Sequence, residues 1–122
     1  MTMSYHSHAD LGGREGCGHV VPEPEGELWH AAWEPRAMAL TVAAGATGAW
    51  NIDVGRFGIE RLRPDIYLAS SYYERWHRRN EKLCLELGLI TAEELETGHS
   101  TAPGKPTRRP PLKANGFTDQ MR

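Results

Sequence analysis

The stretch SYYERWHRRNEKLCLELG, residues 71–88, decides the fold. Ser71 and Glu74 stand at the S-x-x-E spacing of a capping box, which predicts that a helix begins here. The side chains that recur at the spacing of one helix face are Tyr73, Trp76, His77, Asn80, Leu83, Cys84 and Leu87. The basic run at residues 77–79 is predicted to be solvated, with both of its arginines off that face. Gly88 suits the left-handed residue that ends a helix.

Two shorter helices are predicted before this one. Pro35 suits the first turn of a helix, where a missing N–H costs nothing, and an alanine-rich run follows it as far as Ala46. Asn51 is a favourable N-cap residue for a second helix at about residues 52–62. Pro64 is predicted to stop that helix, because the residue before a proline is pushed out of the helical region.

A second capping box, Thr91 with Glu94, predicts a short last helix. The chain is therefore expected to be all-α, with a small helical domain at residues 29–97. An extended N-terminal arm is expected at residues 1–28, and a proline-rich C-terminal tail at residues 98–122. Neither segment has an apolar period, and ordering one alone would cost about 1–2 kcal/mol per residue in backbone entropy. We therefore expect these segments to wrap a partner protein, which would supply the missing burial.

Composition narrows the class of protein. The 122 residues make one small domain, and a core confined to about 70 of them is small enough that a partner is often needed. The net charge of −2 gives no reason to expect nucleic acid. No stretch approaches about 18 consecutive apolar residues, and the polar N-terminus lacks the apolar run of a signal peptide. A cytoplasmic protein without a membrane contact is expected.

The residue pattern alone indicates neither a catalytic centre nor a metal site. Six histidines and two cysteines are present, but they form no C-x-x-C or H-E-x-x-H pattern. Cys17 and His19 lie among glycines, which make a poor preformed site for a metal. Cys84 is interpreted as a core thiol, and His77 as a residue packed at an interface. These observations describe a helical interaction module, and a protein of that kind with no enzymatic role stays open.

Six short motifs follow one another along residues 8–97. They are DLGG at 10–13, GCGHVVP at 16–22, WHAAWE at 29–34, GAWNID at 48–53, YLASSYYERW at 67–76 and GLITAEEL at 88–95. In order and in spacing, this set resembles the N-terminal half of nitrile hydratase β subunits. The resemblance includes Arg56, which follows the N-x-D of the fourth motif as it does in the family.

The sequence departs from the family pattern in the arm and in length. Ala9 stands where the family usually has His, with His8 displaced by one position. Cys17 and His19 stand where the family has Phe and Pro. The family's β subunit continues into a C-terminal β-barrel half, whereas this sequence ends at Arg122. We therefore expect a split form, as in three-subunit nitrile hydratases, in which a separate chain carries the barrel.

The resemblance implies a lyase that converts a nitrile and water to the amide, in which this chain is a subunit that is inactive alone. The implied partners are the α subunit, the separate barrel chain and the nitrile substrate. The implied cofactor is a cobalt(III) or iron(III) ion in the α subunit, held by cysteines of which two are oxidised to sulfinic and sulfenic states. This chain is expected to bind no cofactor and no metal.

The same resemblance assigns site residues in this chain. Arg56 is implied as its catalytic residue, because a guanidinium is always cationic and offers a planar fork of donors to the oxidised sulfur groups. Tyr72, Trp50, Tyr73 and Tyr67 are implied as residues of the substrate pocket. Tyr73 also fits the core face of the long helix, which makes Tyr72 the better candidate to point toward the pocket. A second arginine of this kind lies in the family's barrel half.

Two relatives of the family offer alternative functions. Small relatives of this β half act as activators that carry a metallated α subunit, although they usually lack the DLGG arm found at residues 10–13. The small subunit of thiocyanate hydrolase is a β half of the same type. A carrier would exchange out of the mature enzyme, and a thiocyanate hydrolase would release carbonyl sulfide in place of an amide.

Overall fold

The computed structural model describes residues 7–12 and 14–111, and within them the chain forms five helices and no strand. The helices are α1 (Glu34–Ala46), α2 (Ile52–Glu60), α3 (Pro64–Ala69), α4 (Tyr72–Glu86) and α5 (Ala92–Thr97). The predicted all-α class is confirmed. None of these helices combines the length and the apolar character needed to cross a membrane.

Single residues determine where α1 and α2 begin. Pro35 lies in the first turn of α1, as predicted. Before α2, the side-chain oxygen of Asn51 accepts a hydrogen bond from the backbone N–H of Val54 at 2.8 Å, which confirms the predicted N-cap. The helix that this cap begins ends at Glu60, slightly before the predicted end.

Helix α2 ends before Pro64, as predicted, but Pro64 also begins α3, which the sequence pattern did not indicate. Arg63 has φ −52° and ψ 140°, the extended backbone expected of a residue before proline. The proline ring then fits the first turn of α3, where no N–H is required. Residues 61–63 separate α2 from α3, and Pro64 is the first residue of the second helix.

Both ends of α4 form as predicted. The backbone N–H of Ser71 donates to Glu74 Oε2 at 3.0 Å, which is half of the predicted capping box. At the other end Gly88 has a φ of +66°, in the left-handed region. This turn lets the N–H of Leu89 donate to the carbonyl of Cys84 at 2.9 Å and so satisfies the end of the helix.

The second predicted capping box, at the start of α5, is also confirmed. The N–H of Glu94 donates to Thr91 Oγ1 at 3.1 Å, and the N–H of Thr91 donates to Glu94 Oε2 at 2.9 Å. The carboxylate of Glu94 further accepts hydrogen bonds from the N–H and hydroxyl of Thr101, at 2.9 and 3.0 Å. The hydrogen bonds from Thr101 and Thr91 lower the pKa of Glu94. Those from Thr101 also attach the start of the tail to α5.

The described part of the C-terminal tail runs back over the ends of two helices. Lys105 Nζ donates to the carbonyl of Gly88, just beyond α4, at 2.9 Å. The N–H of Arg109 donates to the carbonyl of Thr47, just beyond α1, at 3.0 Å. Residues 98–111 contain no helix or strand, but these bonds attach them to the helical domain.

The N-terminal arm is without helix or strand over residues 7–12 and 14–28, and it is mostly exposed. Gly13 of the DLGG motif, residues 1–6 of the arm and residues 112–122 of the tail lie outside the described part of the chain. The division into arm, helical domain and tail stays a prediction.

The core forms where α4 packs against both α1 and α2. Leu83 and Asn80 are the most deeply buried side chains, so these two members of the predicted apolar face are confirmed. His77 and Leu87 are exposed within this chain. His77 Nε2 lies 3.0 Å from a carboxylate oxygen of Glu81, one helical turn away. His77 therefore lies on the open surface of this chain, and its predicted packing at an interface would require a partner protein.

Leu83→Ala is expected to lower the free energy of unfolding by about 2–5 kcal/mol, because Leu83 is only 1% exposed and its loss leaves a cavity between α4 and α2. The matched control is Leu85→Ala on the same helix, where the side chain is 36% exposed and the loss should be below about 1 kcal/mol. Urea unfolding of both variants, followed by circular dichroism, measures the difference. Equal losses would contradict this description of the core.

Candidate functional site

An open cleft of about 570 Å³ lies between α1, the start of α2 and α4. The side chains in its wall that bear on chemistry are Trp50, Arg56, Tyr72, Trp76 and Arg79. We call it the Arg56 cleft. Of the described residues that line it, none carries a carboxylate, so the two guanidinium groups leave its wall positively charged. Indole and phenol rings form its apolar part.

Arg56 lies in the middle of α2 and is exposed. The Asn51 cap fixes where this helix begins and thereby which face carries Arg56. Within residues 7–12 and 14–111, the guanidinium of Arg56 is in no ion pair, because each ion pair found there joins other residues. Its donors are therefore available to a ligand or a partner that closes the cleft.

Trp50 and Tyr72 form part of the wall around Arg56. Trp50, directly before the Asn51 cap, is 8% exposed, so its indole is held firmly. Tyr72 is the first residue of α4 and is 63% exposed, so most of its ring faces outward. Its ring stands edge-on to that of Tyr73 with centroids 5.0 Å apart. A rigid indole and an accessible phenol thus share the cleft with a cation.

Tyr73 and Tyr67, also predicted as pocket residues, do not line this cleft. The ring of Tyr73 packs against that of Trp29 with centroids 5.2 Å apart. The ring of Tyr67 lies between the imidazole of His8, at 5.1 Å, and the guanidinium of Arg75, at 4.1 Å. The structure therefore brings Arg56, Tyr72 and Trp50 together and places the other two tyrosines elsewhere.

The prediction that Arg79 lies on a solvated face is wrong, because Arg79 is only 4% exposed. Its Nη1 donates to the carbonyl of Gly55 at 2.8 Å, its Nε to Asn80 Oδ1 at 3.0 Å and its Nη2 to Thr41 Oγ1 at 3.3 Å. All three acceptors are neutral. Burial lowers the pKa of Arg79, as expected when a cation leaves water without a neutralising partner.

Two glycines of α2 make room for this arginine. A Cβ atom on Gly55 would stand 3.1 Å from Arg79 Nη1, and one on Gly58 would stand 3.0 Å from Arg79 Cγ. Both distances are closer than a Cβ atom normally approaches a side chain. The glycines, three residues apart on one face of α2, are the sequence signal that could have revealed a buried side chain opposite them.

At the C-terminal end of α2, away from the Asn51 cap, Arg61 and Glu86 join this helix to α4. Arg61 Nη2 lies 3.0 Å from Glu86 Oε2, and Nη1 lies 3.3 Å from Oε1. The hydrogen bond to Glu86 raises the pKa of Arg61, and the same bond lowers the pKa of Glu86. Both side chains are partly exposed, so this pair contributes far less than a buried pair of the same geometry.

The described part of the chain brings together no group of three histidine, cysteine, aspartate or glutamate side chains that could hold a metal ion. Cys17 is exposed, whereas Cys84 is half-buried on α4. Burial raises the pKa of the Cys84 thiol, in keeping with its interpretation as a core thiol. The chemistry that this chain offers at the Arg56 cleft is therefore that of cationic and aromatic side chains.

Residues 5–120 match the sequence model of the family described as "Nitrile hydratase beta subunit, N-terminal". The nitrile hydratase subunit beta of Pseudomonas putida is 40% identical over 100 residues, 82% of this chain and 46% of the relative. The low-molecular weight cobalt-containing nitrile hydratase subunit beta of Rhodococcus rhodochrous is 36% identical over 87 residues, 71% of this chain and 38% of the relative. The cobalt-containing nitrile hydratase subunit beta of Pseudonocardia thermophila is 37% identical over 87 residues, 71% of this chain and 37% of the relative. The chain thus spans less than half the length of these relatives.

An arginine-specific reagent such as phenylglyoxal should modify Arg56 in the purified chain and spare Arg79. Arg78 is the matched control, because it is the exposed neighbour of Arg79 on the same helix. Mass spectrometry of the peptides reports the extent of reaction at each position, and Arg79 should react only after denaturation. Reaction at Arg79 as fast as at Arg78 in the folded chain would contradict the buried position described here.

Proposed function

The chain belongs to the family of nitrile hydratase β subunits, of which it matches the N-terminal part, and we propose that it works as a subunit of a nitrile hydratase. In this proposal an α subunit closes the Arg56 cleft, and the assembled enzyme adds water to a nitrile to give the amide. The observation that carries the proposal is the cleft itself, where Arg56, at its place in the family motif, shares an open wall with Tyr72 and Trp50.

We place the metal in the α subunit, on cysteine ligands of that partner. Two relatives are named as cobalt-containing enzymes, which favours cobalt over iron in this proposal. Such an ion would supply Lewis-acid chemistry toward the nitrile and water. The contribution of the present chain is to bind and orient the groups around that ion.

Arg56 suits the binding of oxidised cysteine groups on the partner. Sulfinate and sulfenate oxygens carry negative charge, and the planar guanidinium fork can donate two parallel hydrogen bonds to them. Each charge-assisted hydrogen bond contributes roughly 1.5–3 kcal/mol. Because none of the described residues in the cleft wall is acidic, no carboxylate of that wall competes for the guanidinium. Arg56 would hold these reactive oxygens in one orientation.

Tyr72 and Trp50 would form the substrate side of the same wall. The exposed phenol of Tyr72 can donate a hydrogen bond into the cleft, and the buried indole of Trp50 gives a firm apolar surface. The cleft is open on its outer side in this chain, so water would be excluded from it only after a partner covers the mouth. Tyr73 and Tyr67 lie outside the pocket wall that we propose.

Arg56→Lys is expected to lower kcat of the assembled enzyme roughly 100-fold, because lysine keeps the charge but loses the planar pair of donors. The fold of this chain should survive, since the Arg56 side chain makes no ion pair within the described residues. Assembly should survive as well, because lysine keeps the positive charge that faces the partner. Steady-state turnover of a nitrile and gel filtration of the complex measure the two effects. The matched control is Arg78→Lys, an exposed arginine of α4 outside the cleft, which should turn over as the wild type does. Near-normal turnover of Arg56→Lys in an intact complex would remove Arg56 from the mechanism.

The isolated chain is expected to form no amide from a nitrile and to retain no stoichiometric cobalt. Both expectations follow from placing the metal on the partner's cysteines. The measurements are an amide assay and elemental analysis of the purified chain, before and after the α subunit is added. One cobalt per isolated chain, or amide formation without the partner, would overturn the proposal that the α subunit holds the metal and is required for catalysis.

A further inference from the structure

The buried guanidinium of Arg79 contacts α2 at the residue directly before Arg56. We propose that Arg79 is a positioning residue for Arg56: by holding the carbonyl of Gly55, it fixes the direction in which α2 presents Arg56 to the cleft. The inference rests on the proposed role of Arg56. It gives Arg79 a task distinct from that of the arginine that faces the partner.

The contact acts on the backbone of Arg56 itself. Arg79 Nη1 donates to the carbonyl oxygen of Gly55 at 2.8 Å. That carbonyl and the N–H of Arg56 belong to one planar peptide unit. A hydrogen bond that fixes the carbonyl therefore fixes the plane from which the Cα atom and side chain of Arg56 project. The direction of the Arg56 side chain is in this way tied to α4.

The guanidinium of Arg79 is itself held on two further sides. Its Nε donates to Asn80 Oδ1 on α4 at 3.0 Å, and its Nη2 donates to Thr41 Oγ1 on α1 at 3.3 Å. Its Cζ also lies 5.6 Å from the centroid of the Trp76 ring. Because the guanidinium is planar and its donors have fixed directions, three acceptors leave it one orientation. The group is thus a rigid support under α2.

The residues around Arg79 allow its contact with α2 but supply no carboxylate to neutralise its charge. Gly55 and Gly58 leave α2 without side chains where it crosses Arg79, so the helix backbone reaches the guanidinium directly. No described residue pairs a carboxylate with Arg79, although a buried cation is normally paired. A neutral side chain of similar size would avoid that penalty. A role in positioning the backbone of α2 explains why a charged side chain occupies this buried position.

The Arg61–Glu86 pair provides a matched control. It also connects α2 to α4 through an arginine with two hydrogen bonds, but at the end of α2 away from the cleft, and its side chains are partly exposed. A general loosening of α2 on α4 would follow from the loss of either arginine. Only the loss of Arg79 would release the peptide unit that leads into Arg56.

A double-mutant cycle in the assembled enzyme tests the inference. The variants are Arg79→Met, Arg56→Lys, the two combined, and Arg61→Met as the control. Arg79→Met should lower kcat about tenfold with little change in KM, because misplacement of a group that acts on reacting atoms affects turnover before binding. The combined variant should be no slower than Arg56→Lys within about twofold, because Arg79 acts through Arg56. Arg61→Met should keep kcat within about twofold of the wild type.

Each outcome separates the inference from the proposed function. Losses that multiply in the combined variant, an unchanged kcat in Arg79→Met, or an equal loss in Arg61→Met would each overturn the positioning role and leave the role of Arg56 intact. Near-normal turnover in Arg56→Lys would overturn both.

Two further variants complete the design. Arg79→Lys keeps the charge without the three-point contact, so recovery of full kcat in this variant would also overturn the inference. If Arg79→Met does not assemble, Thr41→Val takes its place in the cycle. Loss of this one acceptor should lower kcat about threefold, and again without adding to the effect of Arg56→Lys. An additive loss would count against the inference as it would for Arg79→Met.

Discussion

The guanidinium of Arg79 is the point at which α1, α2 and α4 meet. It lies out of water and reaches one acceptor on each helix: Thr41 on α1, Gly55 on α2 and Asn80 on α4. A planar cation with fixed donor directions accepts few arrangements of three acceptors, so the three helices are held in register around it. The Arg56 cleft is the space between the same three helices, and its shape depends on this cluster.

The described residues leave apolar side chains of two helices exposed. Few apolar side chains are buried in the described residues, whereas Val42, Ile52 and Phe57 on α1 and α2 are exposed. The arm and the tail extend the surface further without a helix or strand of their own in residues 7–12, 14–28 and 98–111. Exposed apolar side chains beside a charged cleft are typical of a surface that a partner covers. This supports the proposal that a second subunit completes the cleft.

Structural features that depend on neighbouring residues, such as helix caps, were predicted from the sequence. Features that depend on contacts between distant residues, such as the burial of a side chain between helices, were not. The caps at Asn51 and Ser71 were predictable because each involves a hydrogen bond within one helical turn. The burial of Arg79 was not predicted, because an arginine off the apolar stripe becomes buried only when two other helices close over it. The separation of Tyr72 from Tyr73 was predictable in part, since consecutive residues on a helix point about 100° apart. Tyr67 lies outside the cleft wall on α3, a helix that the sequence pattern did not indicate.

The proposed role of Arg56 is tested most directly by a structure of this chain assembled with the α subunit. In that structure we expect the guanidinium nitrogens of Arg56 to lie about 2.7–2.9 Å from oxygens of oxidised cysteines on the partner, the usual length of a charge-assisted hydrogen bond. Tyr72 and Trp50 should line the space beside them. An Arg56 side chain that faces bulk water, or that pairs with a carboxylate away from the metal ligands, would contradict the proposed role of Arg56.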